Sequence, residues 1–357
     1  MADTIIKNNQ GVALLITLAV ITLLIAVGLE INRKVRDYVS ITYTSRNQIA
    51  LTQLAASGTQ VAMAMLIKDR QASESDSLLE DWADPEEIAR ILADLPFENG
   101  QVSIKISDEL SRIQLNALVL YPERRHFNVQ QQAIWDQLLQ AVIALHDDFE
   151  EIDPPTIINS AKDWIDSGDD DATTGLTGAE SDYYEGLDPP YASRNGPFLH
   201  TSELAFVRGV STRLLFGTED IPGISDQVTV FGLTGDKNGK AVYNGRINLN
   251  TANTWVLAAM LPVEYTDRAG AIDEYRQLLI EADNVEAFQD RNWYKEAPGC
   301  SDVEINPELI TTSSDLFRIE VSAALNENSL ITETIIQREK QKKTGKWICK
   351  TLRWEAK

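Results

Sequence analysis

At 357 residues and 43% hydrophobic content, the chain can bury a sizeable core or divide into two or three small domains. Its 54 acidic and 32 basic residues leave a formal charge of −22, and between positions 143 and 190 fourteen acids face one base, Lys162. A surface of that sign repels phosphate backbones, which argues against nucleic acid as a partner.

The chain opens with KNNQGVALLITLAVITLLIAVGLEINRK, residues 7–34, in which a short polar leader ends at Gly11 and eighteen uncharged residues follow, Val12 to Leu29. Eighteen residues make roughly 27 Å of helix, enough to cross a hydrocarbon core. A secretory signal would have a shorter apolar core and a small-residue cleavage site beyond it; VGLEINRKVRDY offers none, so the run reads as a retained anchor. No proline occurs between Gly11 and Pro85, and Leu51, Leu54/Ala55, Gly58, Val61/Ala62 and Met65 recur at three-and-four spacing. This predicts one helix from about Val12 to about Lys68, roughly 85 Å long. An anchor followed by a separate helix has the same composition. The bases Arg33, Lys34 and Arg36 just past the anchor favour a cytoplasmic body by the positive-inside rule.

Next, DPEEIARILADL predicts a short helix capped by Asp84 with Pro85 at its first position. QVSIKISDELSRIQLNAL alternates Val102, Ile104 and Ile106 with polar residues, a half-buried strand that then turns back. Helical patterns dominate from about 117 to 310. The tail returns to strands in FRIEVSAAL, ETIIQREK and KWICKTLRW, with a turn at KKTGK. Strands at either end of the insert can rejoin in one sheet packed on the long helix, an α+β arrangement. Within the insert SRIQLNAL (111–118) returns as GRINLNTA (245–252), which suggests two related helical subdomains.

The stretch DWIDSGDDDATTGLTGAESD, 163–182, holds seven carboxylates punctuated by Gly168, Gly175 and Gly178. Such a loop would repel itself unless a cation sits in it, and hard cations such as calcium take oxygen ligands from flexible, glycine-rich chain. Asp169, Asp171, Thr173 and Glu180 fall at positions one, three, five and twelve of a calcium loop, but Thr174 stands where the EF-hand needs glycine. The expected ligands are Asp166, Asp169, Asp171, Thr173, Glu180 and Asp182. Asp163 and Asp170 are set aside because alternate residues of a turn face away. A solvated acidic loop is the plain alternative. Cys300 and Cys349 permit one disulfide, closing a loop of about 50 residues for around 4 kcal/mol, or two unpaired thiols.

No G-x-S-x-G, H-E-x-x-H or G-x-G-x-x-G occurs. TGDKNGKA (234–241) lacks both the first glycine and the hydroxyl of a phosphate loop, and His126, His146 and His200 form no cluster in sequence. The chain is therefore expected not to be an enzyme.

A polar leader ending in glycine, an immediate uncharged run and a long amphipathic continuation resemble the type IV pilin and pseudopilin class. RIQLNAL, DWIDSGDDD…GAESDYY, PPYASRNGPFLHTSELAFVRGV and INLNTA narrow this to the K-type minor pseudopilins of type II secretion, a resemblance that spans nearly the whole chain. It implies cleavage by a prepilin peptidase between Gly11 and Val12 with methylation of the new N-terminus. It implies an inner-membrane protein crossing once with its body in the periplasm, against the simple charge rule. It also implies a pilin-like core with an inserted domain of two SAM-like subdomains. The divisions are 1–11 (leader), 12–32 (transmembrane), 33–116 (helix and first strands), 117–310 (insert, with subdomains at about 117–225 and 246–310) and 311–357 (last strands).

Most pilins carry glutamate at the fifth mature position; here it is Ile16. An unpartnered carboxylate in the membrane is costly, and K-type members lacking it are thought to cap the pseudopilus tip and help to initiate the filament. The implied partners are the I-type and J-type minor pseudopilins and other pseudopilus subunits. In a periplasm a Cys300–Cys349 bridge becomes chemically permitted. The other readings are a minor pilin of a type IV pilus or DNA-uptake system, and a signal-anchored periplasmic calcium-dependent binding module.

Overall fold

The computed structural model describes residues 10–97, 100–145, 153–168, 173–219, 221–235 and 239–357, with Gln10 and Gly11 by backbone alone. Helix α1 runs unbroken from Gln10 to Ala72, slightly past both expected ends. Side chains 12–46 are exposed on every face. From Asn47 onward a stripe through Leu51, Ala55, Thr59, Ala62 and Leu66 is buried, at helical spacing. Gly58 lies on that stripe, and a Cβ there would stand 2.7 Å from Val321 and 2.9 Å from Val102, so the glycine sets how closely the helix approaches the sheet. Helix α2 (Pro85–Ala93) starts as its sequence predicts, with the Asp84 carboxylate accepting from Glu86 N at 2.8 Å.

The sheet under α1 is antiparallel in the order β1-β8-β9-β10, from β1 (Gln101–Asp108) and the tail strands β8 (Leu316–Leu325), β9 (Asn328–Lys340) and β10 (Trp347–Ala356). The alternation read from sequence puts Ile104, Ile106, Phe317, Ile319 and Val321 inward against Leu51, Ala55, Ala62 and Leu66. One expectation changes. The chain does not turn back to pair with β1. After a single 3-10 turn it leaves as β2 (Ile113–Gln114), which pairs in parallel with β3 (Val228–Thr229) inside the insert.

The insert carries helices α3 (Val129–Ile143), α4 (Pro154–Ile165), α5 (Ser181–Glu185), α6 (Thr212–Phe216), α7 (Thr254–Met260) and α8 (Ala269–Glu281) around one continuous apolar core. A hairpin of β4 (Leu233–Gly235) and β5 (Ala241–Tyr243) precedes β6 (Ile247–Asn248), which pairs in parallel with β7 (Ile310–Thr311). The repeated motif occupies equivalent places. Asn116 Nδ2 donates to Phe198 O and Val230 O at 3.0 Å, and its Oδ1 accepts from Phe198 N at 2.7 Å. Asn250 Nδ2 donates to Phe288 O at 2.9 Å and Thr312 O at 3.2 Å, while its Oδ1 accepts from Trp293 Nε1 at 2.8 Å. In both copies the asparagine clips the carbonyl that follows the parallel partner strand.

Two buried polar joints seat the insert on the sheet. Glu109, fully buried at the end of β1, accepts from Arg318 Nη2 at 2.8 Å, Arg112 Nη1 at 2.7 Å and Thr229 Oγ1 at 2.6 Å. Asp76, fully buried beyond α1, receives Arg338 Nη2 at 2.5 Å and Ser314 N at 2.8 Å on its carboxylate, and Asn248 and Asn250 Nδ2 on its carbonyl. The cysteines are not bridged. Cys300 is buried in the insert core and Cys349 packs beside the core under α1, two separate places that no single bond joins.

Burial raises the Glu109 carboxyl, but the Arg112 and Arg318 guanidiniums outweigh it and hold it down to about 2, from an ordinary 4.5. A lowered folded-state value gives stability that is present above about pH 4.5 and lost as pH falls toward 2. Arg318→Met should cost about 3–5 kcal/mol by stranding a buried charge, with Glu109→Gln added restoring most of it and flattening the acid limb. Denaturant titrations between pH 3 and 7 measure both.

Candidate functional site: the apolar helix and the acidic loop

Val12 to Leu29 form the only helical segment among the described residues that is long and apolar enough to span a membrane, and none of it is buried. Ile16 is 59% exposed. The two hydroxyls within this stretch bond back into the helix, Thr17 to Leu14 O and Thr22 to Ala19 O, each at 2.9 Å. Both side-chain hydroxyls in this segment are thus internally paired, as a lipid-facing helix requires. The bond between Gly11 and Val12 falls in the first turn of α1, where N–H groups have no intrahelical acceptor and local unwinding costs least.

The acidic loop is organised by α4. Asp153 caps the helix, accepting from Thr156 N at 3.1 Å, and Lys162 and Asp163 lie in its last turn, with Asp166 at the C-cap. Asp163 and Asp166 are three residues apart on a helical face, not alternate residues of a turn. Their carboxylates therefore converge with that of Glu180, oxygens of all three lying within 4.8 Å of one another. This corrects the expectation that Asp163 faces away: it is fully buried and accepts from Thr174 N at 3.1 Å. Gly178 makes the approach possible, since a Cβ there would stand 2.1 Å from Asp163 Oδ2. Asp166 accepts from Gly168 N at 3.1 Å and from Lys162 Nζ at 3.0 Å, and Lys162 also donates to Thr174 Oγ1 at 2.8 Å. Burial pushes the Asp163 carboxyl up, while Thr174 and Lys162 pull it down.

Of the four expected ligands among the described residues, Asp166, Thr173, Glu180 and Asp182, only Asp166 and Glu180 are brought together. Asp182 is exposed on α5, and Thr173 is exposed while its neighbour Thr174 makes the bonds. Asp169 and Asp171, with Asp170, lie outside the described residues. Lys162, a participant the charge count had marked only as a lone base, was legible from its i,i+4 spacing to Asp166. Oxygens this close suit one ion at calcium–oxygen distances of 2.3–2.6 Å. Three carboxylates and one ammonium also leave two negative charges, the charge a divalent cation offsets.

The family model described as "Type II secretion system (T2SS), protein K" matches residues 111–216, from the first copy of the repeated motif through the acidic loop to α6. A "Type II secretion system protein K" of Aeromonas hydrophila is 25% identical over 276 residues, 76% of each chain. The chain is thus similar to protein K of type II secretion over these stretches. One chain of the crystal structure of the GspK-GspI-GspJ complex from the enterotoxigenic Escherichia coli type 2 secretion system shares the fold, with a TM-score of 0.61 at 18% identity over 88% of this chain and 98% of that one. That likeness takes in most of this chain as one architecture.

Gly178→Ala tests the close packing of the loop. It should cost about 1–3 kcal/mol by pushing on Asp163 and the Thr174 backbone. Equilibrium unfolding measures that loss, and Ala at the exposed Gly270, with open space beside it, serves as the control.

Proposed function

We propose that the chain is a minor pseudopilin of type II secretion. It would help to initiate the periplasmic pseudopilus and cap its tip, assembling with I-type and J-type minor pseudopilins and other pseudopilus subunits, and it has no catalytic role. The observation that carries this is the unbroken α1: an uncharged, wholly exposed segment continuous with a clamped stripe under a pilin-like sheet, in a chain similar to protein K of type II secretion. Ile16 in place of a carboxylate fits a subunit with no neighbour above it whose amine needs neutralising. In this reading residues 1–11 are a cytoplasmic leader removed by the prepilin peptidase, α1 anchors the protein in the inner membrane, and the body lies in the periplasm. The two Asn-clipped halves of the insert act as its two related SAM-like subdomains.

Processing tests the assignment. Mass spectrometry of the mature protein should find a methylated Val12 at the N-terminus, and Gly11→Leu should retain the eleven-residue leader, insert in the membrane and fail to enter the filament. An intact leader on wild-type protein would exclude the pseudopilin reading.

Asp163, Asp166 and Glu180 would hold a calcium ion, whose part is to cross-link α4 to the segment before α5 and relieve their repulsion. An ion bound only by the folded form stabilises by about 2.7 kcal/mol at a hundredfold excess over its Kd. The protein should melt higher in millimolar calcium than in chelator, with magnesium substituting weakly. Asp163→Asn with Glu180→Gln should remove the difference.

A further inference from the structure

The joint around Asp76 holds more acid than base. Arg338, whose side chain is fully buried, donates through Nη1 to Leu66 O at 2.9 Å and Asp69 Oδ2 at 3.1 Å, and through Nη2 to Asp76 Oδ1 and Ser314 O. Three carboxyl groups converge here, with oxygens of Asp69, Asp76 and Glu80 all within 4.8 Å of one another. Both Asp76 oxygens already accept, from Arg338 and from Ser314 N. Like charges this close repel, and a proton on Asp69 relieves the repulsion between it and Asp76. Asp69 Oδ2 accepts from Arg338, which leaves Oδ1 as the oxygen able to carry that proton. Glu80 is similar. Its Oε2 accepts from Ser77 N and Trp82 Nε1, two donors that cannot be reversed, whereas Oε1 meets only the Ser77 hydroxyl, which can turn to accept. Oε1 can therefore carry a hydrogen without breaking a bond.

We propose that the seat of the insert on the pilin-like core is closed by protons: Asp69 and Glu80 are each protonated when the joint is shut, and raising the pH loosens it. A cleft of about 300 Å³, lined among others by Asp69, Ser73 and Glu80, gives water access to both. The charged surroundings do not cancel this acid. Lys68 on α1 is spent on Asp81 at 3.2 Å, and Arg70 donates to the Glu74 carbonyl. Asp108 at the end of β1, Asp315 before β8 and Asp283 across the cleft add negative charge, and Arg338 on β9 is the single base within the joint among the described residues. Burial pushes Asp69 up to about 7, helped by Asp76, and Glu80 up to about 8, helped by Asp69 and Asp76. Raised folded-state values mean that the closed joint binds protons the open chain releases. It is therefore favoured as pH falls from about 8 toward the ordinary carboxyl range near 4.5.

Amide hydrogen exchange on the full chain in detergent, with chelator throughout and rates corrected for intrinsic pH dependence, tests this. In wild type, protection of residues 73–84 and 312–316 should fall roughly tenfold or more between about pH 5.5 and pH 8, a unit of pKa corresponding to a factor of ten. Asp69→Asn with Glu80→Gln, whose amides stand in for the protonated carboxyls, should lose most of that fall, leaving the smaller share of Asp108, which burial pushes up to about 6. Glu80→Gln alone keeps the acceptor oxygen for Ser77 and Trp82, and should exceed wild-type protection at pH 8 if the double variant fails to fold. Equal wild-type protection at both pH values would overturn the proposal, as would a pH response undiminished in the variants. Wild-type protection at pH 8 restored when calcium or magnesium replaces the chelator would assign the acids to a metal and overturn it too.

Discussion

A sheet whose first strand ends at Asp108 and whose second begins at Leu316 must hold the two ends of its insert side by side. Every other relation in the molecule depends on that closure. Glu109 and Asp76 perform it from opposite approaches, one at the exit of β1 and one beyond α1, and each meets an arginine of the returning strands. Burying a charge is costly unless it is fully bonded, and these two are. The reward is geometric: loop, insert, sheet and helix share the same few atoms, so none can shift independently. The asparagine clips repeat the device inside the insert, where an amide serves without the desolvation penalty of a charge.

The body and the anchor obey different solvents through one helix. Up to Arg46 the side chains of α1 look outward on all sides; beyond Asn47 one stripe is drawn against the sheet. No break, cap or proline separates the two regimes. The change lies in what packs on the helix: nothing among the described residues covers it before Asn47, and the sheet covers one stripe of it from there on.

Much of this was legible in the chain. The alternation at Val102, Ile104 and Ile106 and at Phe317, Ile319 and Val321 located the sheet, because period two is local information. Asp84 followed by Pro85 placed the start of α2, and the echo of IQLNAL in INLNTA marked two sites that use asparagine in the same way. What failed was non-local or turned on a local misreading. Asp76 and Arg338 are 262 positions apart, and nothing in either neighbourhood names the other. The departure of β2 from the sheet is decided by Val228, more than a hundred residues downstream. Asp163 was placed in a turn when α4 continues through it, and period 3.6 brings it round to Asp166. The two cysteines could be counted but not located, and they sit in different cores.

The continuity of α1 has a mechanical side. Because the sheet grips the helix from Asn47 to Leu66, the head and the apolar segment move along the helix axis as one rigid piece. Raising the head by one helical turn, about 5.4 Å, draws three or four apolar side chains out of hydrocarbon. At about 1.5–3 kcal/mol each, that is on the order of 5–10 kcal/mol of work per turn, stored as a restoring force toward the membrane. The work vanishes only where other apolar helices line the path. A lone subunit is therefore sprung downward, whereas one rising inside a bundle is not, and the same covalent rod acts as a tether in the first case and a piston in the second.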